Sequence, residues 1–300
     1  MIAYIDVNKD EFGVEPICKE LPIAPQTYYA ARDRPPSRRS ISDEVTVRKI
    51  HQVHKDNYGV YGARKVHAQL KRDGHKVARC TVERLMRREG LRGVARRKGP
   101  RTTIPGPFTD RPADLVDRRF LADAPDCLWV ADITYIRTFS GWVYAAFVLD
   151  VFSRRIVGWQ LSTSLHTELA LDALSMGIWI RHKNGRDLSQ LIHHSDRGVQ
   201  YRAVRYTERL DEAEAVASVG SKGDSYDNAM AEALNLLFKA ELVRNLGPWK
   251  GIDDREFAVA EYIDWYNHRR LHDEIGHIPP IEKENEFYSN LPTVTVMERV

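Results

Sequence analysis

CLWVADITYIRTF (residues 127–139) is built from β-branched and aromatic side chains, the composition of a strand rather than a helix. The turn signal Ser140-Gly141 leads into GWVYAAFVLDVFS (141–153), a second strand. RRIVGWQLS (154–162) makes a third. Connections this short predict an antiparallel meander. Working outward, HTELALDALSMGIWIRHKNG (166–185) places Leu169, Leu171, Ala173, Leu174 and Ile178 on the inner side of a long helix. LIHH (191–194) reads as a short buried strand, AVRYTERLDEA (203–213) as a helix, and AVASVG (215–220) as a last strand before the helix AMAEALNLLFKAEL (229–242). The order βββ-α-β-α-β-α predicts an α/β domain with a mixed five-stranded sheet flanked by helices. A further helix is expected through REFAVAEYIDWYNHRR (255–270).

Three acids stand out against this frame. Alternation along the first strand puts Val130, Asp132, Thr134 and Ile136 on one face, and a carboxylate amid so apolar a strand is costly unless it is paired or binds a cation. In HHSDRGVQY (193–201) the fourth strand ends on Asp196. Glu232 falls in the first turns of the helix after the fifth strand, behind Asp227 and Asn228. Each has a plain reading by itself: an edge aspartate, a turn, and an acid favoured by a helix dipole behind an N-cap. Together they are one acid at each of three sheet-rim positions, with 35 residues between Asp196 and Glu232. Hard divalent cations take such oxygen ligands, and two of them can clamp the attacking and leaving oxygens of a phosphodiester.

The front of the chain is different in charge. Residues 1–101 hold 23 Lys/Arg against 12 Asp/Glu, a surplus of 11, while the remainder carries an excess of 8 acids. Nine of those basic residues crowd into 79–101, which favours a polyanionic partner over simple solvation. Two helix-turn-helix-like patterns precede that point. In the first, GVEPICKEL (13–21) is broken by PIAP (22–25) before QTYYAAR (26–32), and RDRPPSRRS (32–40) reads as a linker. In the second, Ser42 is expected to cap a helix burying Val45, Val47, Ile50 and Val53. A turn in NYGVYGARKV (57–66) then leads to a second helix. ARCTVERLMRREGL (78–91) makes the third, with Cys80, Leu85 and Met86 inward and Arg79, Arg84, Arg87 and Arg88 outward. A basic last helix of three is the usual way to present a recognition helix to a major groove; a plain three-helix bundle is the alternative. RRKGPRTTIPGPFTDRP (96–112) has the composition of a linker.

The longest uncharged apolar stretch in the middle of the chain is WVYAAFVL (142–149), far short of a membrane span, and the N-terminus lacks the pattern of a secretion signal. Three scattered cysteines, Cys18, Cys80 and Cys127, argue against a disulfide framework or a cysteine zinc site and suit a reducing, cytoplasmic setting.

WVADITYI (129–136), HHSDRGVQY and SVGSKGDSYDNAMAE (218–232) resemble the three catalytic segments of DDE transposases, specifically the OrfB type of insertion sequences with a retroviral-integrase-like core. YGARKV (61–66) and ARCTVERLMRREGL resemble the helix-turn-helix region before that core, and YIDWYNHRRLH (262–272) with IPP (278–280) its C-terminal segment. The resemblance implies an RNase H-like fold and a catalytic, metal-binding triad of Asp132, Asp196 and Glu232. It implies two Mg²⁺ or Mn²⁺ ions per site, and metal-dependent cleavage and strand transfer at terminal inverted repeats and target DNA. A homo-multimer is expected, with an upstream OrfA product as possible partner, because the chain starts at Met and shows no sustained heptad. The setting implied is cytoplasmic and nucleoid-associated. Lys239, seven residues beyond Glu232, is expected at a DNA phosphate, with a solvated helix lysine as the alternative; Lys65, Arg79, Arg84, Arg87 and Arg88 are the other candidate DNA contacts. Asp150 is read as a turn aspartate outside the triad, His194 as a packed histidine, and the GSKGDS loop (220–225) as mobile and able to close over a DNA end. The expected organisation is a helix-turn-helix-like segment (1–40), a DNA-binding helix-turn-helix domain (41–95), a linker (96–122), the catalytic core (123–245) and a C-terminal helical segment and tail (246–300). The rival readings are a DNA-binding protein with an inactive core and a hydrolase of RNA–DNA hybrids.

Overall fold

Five strands form one sheet in the order β3-β2-β1-β4-β5. The computed structural model describes residues 1–95, 116, 120–196, 198–219 and 228–291. β1 (Leu128–Thr138), β2 (Gly141–Asp150) and β3 (Ile156–Ser162) make the expected antiparallel meander, with Asp132 opposite Phe147 and Tyr135 opposite Tyr144. β4 (Ile192–Ser195) and β5 (Val216–Val219) add in parallel on the other side of β1. The mixed sheet flanked by helices is therefore the architecture the strand pattern predicts.

Alternation along β1 divides the interior into two cores. One face, with Trp129 and Ala131, packs under α7 (Thr167–Lys183) and α8 (Val204–Glu212). Gly158 on β3 permits that approach: a Cβ there would lie 1.9 Å from the Ala173 carbonyl oxygen. The opposite face, with Leu128, Val130 and Ile136, packs under α9 (Ala229–Phe238) and α11 (Asp253–His268). α9 continues through a π-turn (Lys239–Val243) into the short α10 (Arg244–Leu246). α12 (Pro280–Ser289) closes the described part of the chain, anchored by Glu284.

At the front, α1 (Ile2–Phe12), α2 (Val14–Glu20) and α3 (Pro25–Asp33) share a small core of Ile5, Ile17, Cys18 and Tyr28. The helical bundle is α4 (Arg38–Asp56), α5 (Ala63–Arg72) and α6 (Arg79–Arg88). Its apolar residues belong to the same cluster as the α9–α11 face of the sheet. Polar contacts fix that junction: Trp265 Nε1 donates to Asn57 Oδ1 (3.1 Å), and the Leu271 amide donates to the Tyr61 hydroxyl (2.7 Å). Among the described residues, no helix is long and apolar enough to cross a membrane.

Four expectations need correction. α4 starts at Arg38 because Ser37, not Ser42, caps it by accepting from the Ser40 amide. The end of RDRPPSRRS is thus helix, and Val45 lies on the outer side at 41% exposure. Cys80 is exposed; Val82 takes the inward position beside Leu85 and Met86, one helical step round. α1 was given no element by the sequence pattern, since Asn8, Lys9 and Asp10 interrupt its apolar face. Within the expected linker, Val116 is buried and Phe120 meets the His194 ring edge-on; most of 96–119 and the whole 220–225 loop lie outside the described residues.

Candidate active site

Parallel pairing of β1 with β4 determines where two of the three acids meet. The last paired rung joins Ala131 to Ser195. Asp132, midway along β1, and Asp196, the residue just past the end of β4, follow one residue further along each chain, which sets them beside each other on neighbouring strands, whose usual spacing is about 4.8 Å. Asp132 Oδ1 accepts from the Ile133 amide at 2.9 Å, and its Oδ2 accepts from Asn235 Nδ2 on α9 at 2.7 Å. Asp196 Oδ1 accepts from the Gly198 amide at 2.8 Å. A Cβ at Gly198 would lie 2.9 Å from that same oxygen, so a larger residue there would push the Asp196 carboxylate aside. Glu232 is exposed in the first turn of α9, with its amide donating to the Asn228 carbonyl at 3.0 Å.

The electrostatics of the pair are unfavourable as they stand. Burial pushes the Asp132 carboxyl well above the usual range, and the charges of Asp196 and then Glu232 push further; the Ile133 and Asn235 hydrogen bonds only partly oppose them. Burial also raises Asp196, against the Gly198 hydrogen bond. Among the described residues, no lysine or arginine forms a salt bridge with either aspartate. Tyr201 lies over the same rim: burial drives its hydroxyl far above its ordinary range, and the charges of Asp132, Tyr206 and Asp196 add to the rise. Tyr201 Oη, Asn228 Oδ1 and Asn235 Oδ1 are buried oxygens without a hydrogen-bond partner among the described residues.

This donor set suits a hard cation: two adjacent carboxylates, amide oxygens without a hydrogen-bond partner among the described residues, and no salt bridge to a basic side chain among those residues. The set is partial. Among the described residues, no group of three or more His, Cys, Asp or Glu side chains is arranged to hold one metal ion. Asp132 and Asp196 form the close pair, while Glu232 acts on Asp132 through its charge from the exposed side of α9.

The other sequence candidates divide. Lys239 is partly buried, with Nζ 5.4 Å from the centre of the Tyr135 ring; burial lowers its pKa and the charge of Asp132 opposes that. Arg79 pairs with Glu83 and Arg88 with Glu89, both on the open face of α6, where Arg87 is also exposed. Arg84 instead turns back to α4, where its Nη2 reaches both Asp43 oxygens at 2.8 and 2.9 Å. Lys65 stands 3.8 Å from Asp273 and is largely covered, so it faces the C-terminal segment. His194 is fully buried with Nδ1 2.9 Å from Ser218 Oγ. Asp150 is fully buried in its turn, accepting from the Asp126 and Ser153 amides and the Ser153 hydroxyl. Neither Asn235, three residues beyond Glu232 on the same helix face, nor Tyr201 is among the sequence candidates, and Asn228 reads there as a cap. Their common signal is a polar side chain on an otherwise inward-facing position.

Against families of known proteins, residues 40–99 match an HTH-like domain, and residues 122–225 and 216–280 match two descriptions of an integrase core domain. The chain is 52% identical over 270 residues to a putative transposase for insertion sequence element IS986/IS6110 of Mycobacterium tuberculosis, covering 90% of this chain and 97% of the relative. It is 46% identical to the transposase for insertion sequence element IS629 of Shigella sonnei, over 97% of this chain and 98% of the relative. Transposase InsF for insertion sequence IS3A of Escherichia coli is 30% identical over 95% of this chain and 98% of that one. Among solved structures, the HTLV-2 integrase catalytic core domain in complex with magnesium aligns with a TM-score of 0.44 at 14% identity, over 55% of this chain and 99% of that chain.

Proposed function

The chain belongs to the insertion-sequence transposases that carry an integrase core, and on that premise we propose that Asp132, Asp196 and Glu232 hold two divalent ions, Mg²⁺ or Mn²⁺, at the reacting phosphodiester. The observation that carries this reading is the pair of acids side by side on neighbouring strands, just past the last β1–β4 rung, with no salt bridge to a basic side chain among the described residues. Ions held by Asp132, Asp196 and Glu232 would polarise a phosphodiester and acidify an attacking oxygen. The chain's own residues then position the reactants. Asn235 fixes the rotamer of Asp132, and the Gly198 amide fixes that of Asp196. Lys239 meets a phosphate beside the pair. Water, then the freed 3′-hydroxyl, attacks phosphorus in line, and the bridging oxygen leaves on the opposite side without a covalent enzyme intermediate. The work is positional and electrostatic.

The exposed arginines of α6, Arg79, Arg87 and Arg88, bind the terminal inverted repeats through phosphates. Arg84 and Lys65 serve mainly to hold helices, through Asp43 and Asp273. Two element ends are brought together by a multimer, with an upstream OrfA product as a candidate partner.

The test is cleavage of duplex oligonucleotides carrying the element's ends by purified protein in Mg²⁺. Asp132→Ala and Glu232→Ala are expected to lose at least about a thousand-fold in rate, equivalent to about 4 kcal/mol of transition-state stabilisation, while end binding stays within a few-fold. Normal cleavage by either variant refutes the role given to that acid.

A further inference from the structure

Past the end of the face that α7 and α8 cover, the β1–β2 hairpin carries an aromatic group into solvent. Tyr135 stands opposite Tyr144, and Arg137 opposite Trp142, so all four side chains share one face of the ribbon. Exposure rises outward along it. Tyr144 is partly buried against the core, Tyr135 is 37% exposed and Trp142 is 52% exposed. The rings meet edge to face, with Tyr135 6.2 Å from Trp142 and 6.3 Å from Tyr144. Cross-strand packing explains why aromatic pairs suit a hairpin. It does not require an indole that leaves half its surface in water.

Two further observations indicate what the surface meets. The tip is braced from outside the sheet: the Phe139 amide donates to the Trp249 carbonyl and the Ser140 amide to the Lys250 carbonyl, each at 3.1 Å. The rings are thus held in place before any ligand arrives. Alternation along β1 puts these rings on the sheet face opposite Asp132, and Lys239 links them to the acid pair. Asn235, which bonds Asp132, is one helical turn before Lys239, and Lys239 Nζ lies 5.4 Å from the centre of the Tyr135 ring. Tyr135 itself is three residues along β1 from Asp132, about 10 Å, the rise of some three stacked nucleotides. Exposed flat rings flanked by Lys239 and Arg137 are the combination that takes up unpaired bases while cations hold the phosphates.

Resting on the transposase reading, we propose that Tyr135 and Trp142 form a stacking platform for unpaired bases of the DNA strand adjoining the reacting phosphodiester, with Lys239 and Arg137 holding its phosphates. Paired bases inside a duplex are already stacked on one another, so the platform acts on strand ends that have opened.

The experiment measures binding of the full chain, in EDTA, to three labelled probes by fluorescence anisotropy. These are an element-end duplex fully paired, the same duplex with its last three pairs mismatched into a fork, and the fork with abasic sites replacing those bases. The wild type is expected to hold the fork about ten-fold more tightly than the abasic fork, the equivalent of one stacked base. Trp142→Ala is expected to abolish that preference and Trp142→Phe to keep it, with affinity for the paired duplex unchanged within two-fold. Should Trp142→Ala fail to fold, the wild-type comparison of fork with abasic fork still decides. A wild type that binds both forks alike, or a folded Trp142→Ala that keeps the preference, overturns the platform. Failure to bind any of the three probes would instead remove the transposase reading beneath it.

Discussion

Glu284 and the Asp132–Asp196 pair are carboxylates drawn out of water, and the fold treats them in opposite ways. Glu284 is 2% exposed and fully answered: Arg181 reaches both its oxygens at 2.9 and 2.6 Å, Arg155 donates at 2.7 Å and the Ser153 hydroxyl at 2.9 Å. Burial alone pushes that carboxyl upward, yet the two arginines outweigh it and hold it below the ordinary range. Glu241 follows the same rule, with Arg270 donating at 2.6 and 2.9 Å and the Tyr262 hydroxyl at 3.1 Å. Among the described residues, Asp132 and Asp196 accept only from backbone amides and one side-chain amide; burial pushes both up, and the charges of Asp196 and Glu232 push Asp132 further. Among the described residues, arginines meet the structural acids and none meets this pair, an arrangement that suits a cation from outside.

The contrast breaks most visibly where an answered acid loses its partner. Arg181→Leu takes the two-pronged partner from Glu284, leaving it Arg155 and Ser153, and removes the cation beside Asp126, whose Oδ1 lies 2.8 Å from Arg181 Nε. A loss of about 3–5 kcal/mol is expected. That should read as a fall of roughly 10 °C in thermal midpoint. A shift under about 2 °C would mean that the network is dispensable. Arg270→Met is expected to cost somewhat less, about 2–4 kcal/mol, because it takes the arginine from one acid, Glu241, rather than from two. Denaturant midpoints of the two variants rank them.

At the acid pair the sign reverses. Asp132→Asn removes a repelled charge, and its new amide N–H can meet Asn235 Oδ1, which has no partner among the described residues, once Asn235 flips. Stability in metal-free buffer at pH 8 is expected to stay level or rise by up to about 1 kcal/mol. The two kinds of acid also separate by pH. The folded-state pKa values of Asp132 and Asp196 lie above their ordinary 3.8, so the folded chain holds protons that the unfolded chain has released. Their contribution therefore falls as pH rises above that value. Asp150, raised to about 6 chiefly by burial, adds the same sign between 3.8 and 6. Glu284, held below its ordinary 4.5, contributes stability above that value and loses it as pH falls through its lowered pKa. Melting the wild type and Asp132→Asn from pH 4 to pH 8 checks both signs: the advantage of Asp132→Asn must grow with pH.

Much of this was legible in the chain. β-branched alternation gave the meander, and the apolar run ending at Asp196 placed an acid at the exit of a strand. The rung shared by Ala131 and Ser195 was not legible. A parallel pairing joins residues 64 apart in sequence, and no local pattern encodes its register. The buried ion pairs were equally hidden, because Arg181 and Glu284 are 103 residues apart and each looks like an ordinary charge on an amphipathic helix. The start of α4 was misplaced because Ser37 and Ser42 are both able caps, and which one acts depends on where the proline-rich turn releases the chain. Asn235 and Tyr201 matter by facing the acids, which only the packed positions of α9 and of the turn after β4 (Val199–Arg202) determine.

The most direct measurement is the thermal midpoint of metal-free protein titrated with Mg²⁺, in the absence of DNA, for the wild type, Asp132→Asn and Glu284→Gln. The uncompensated pair predicts a saturable rise in the wild type, the same rise in Glu284→Gln from its lower starting point, and none in Asp132→Asn. An equal rise in Asp132→Asn would place the cation elsewhere and contradict the account.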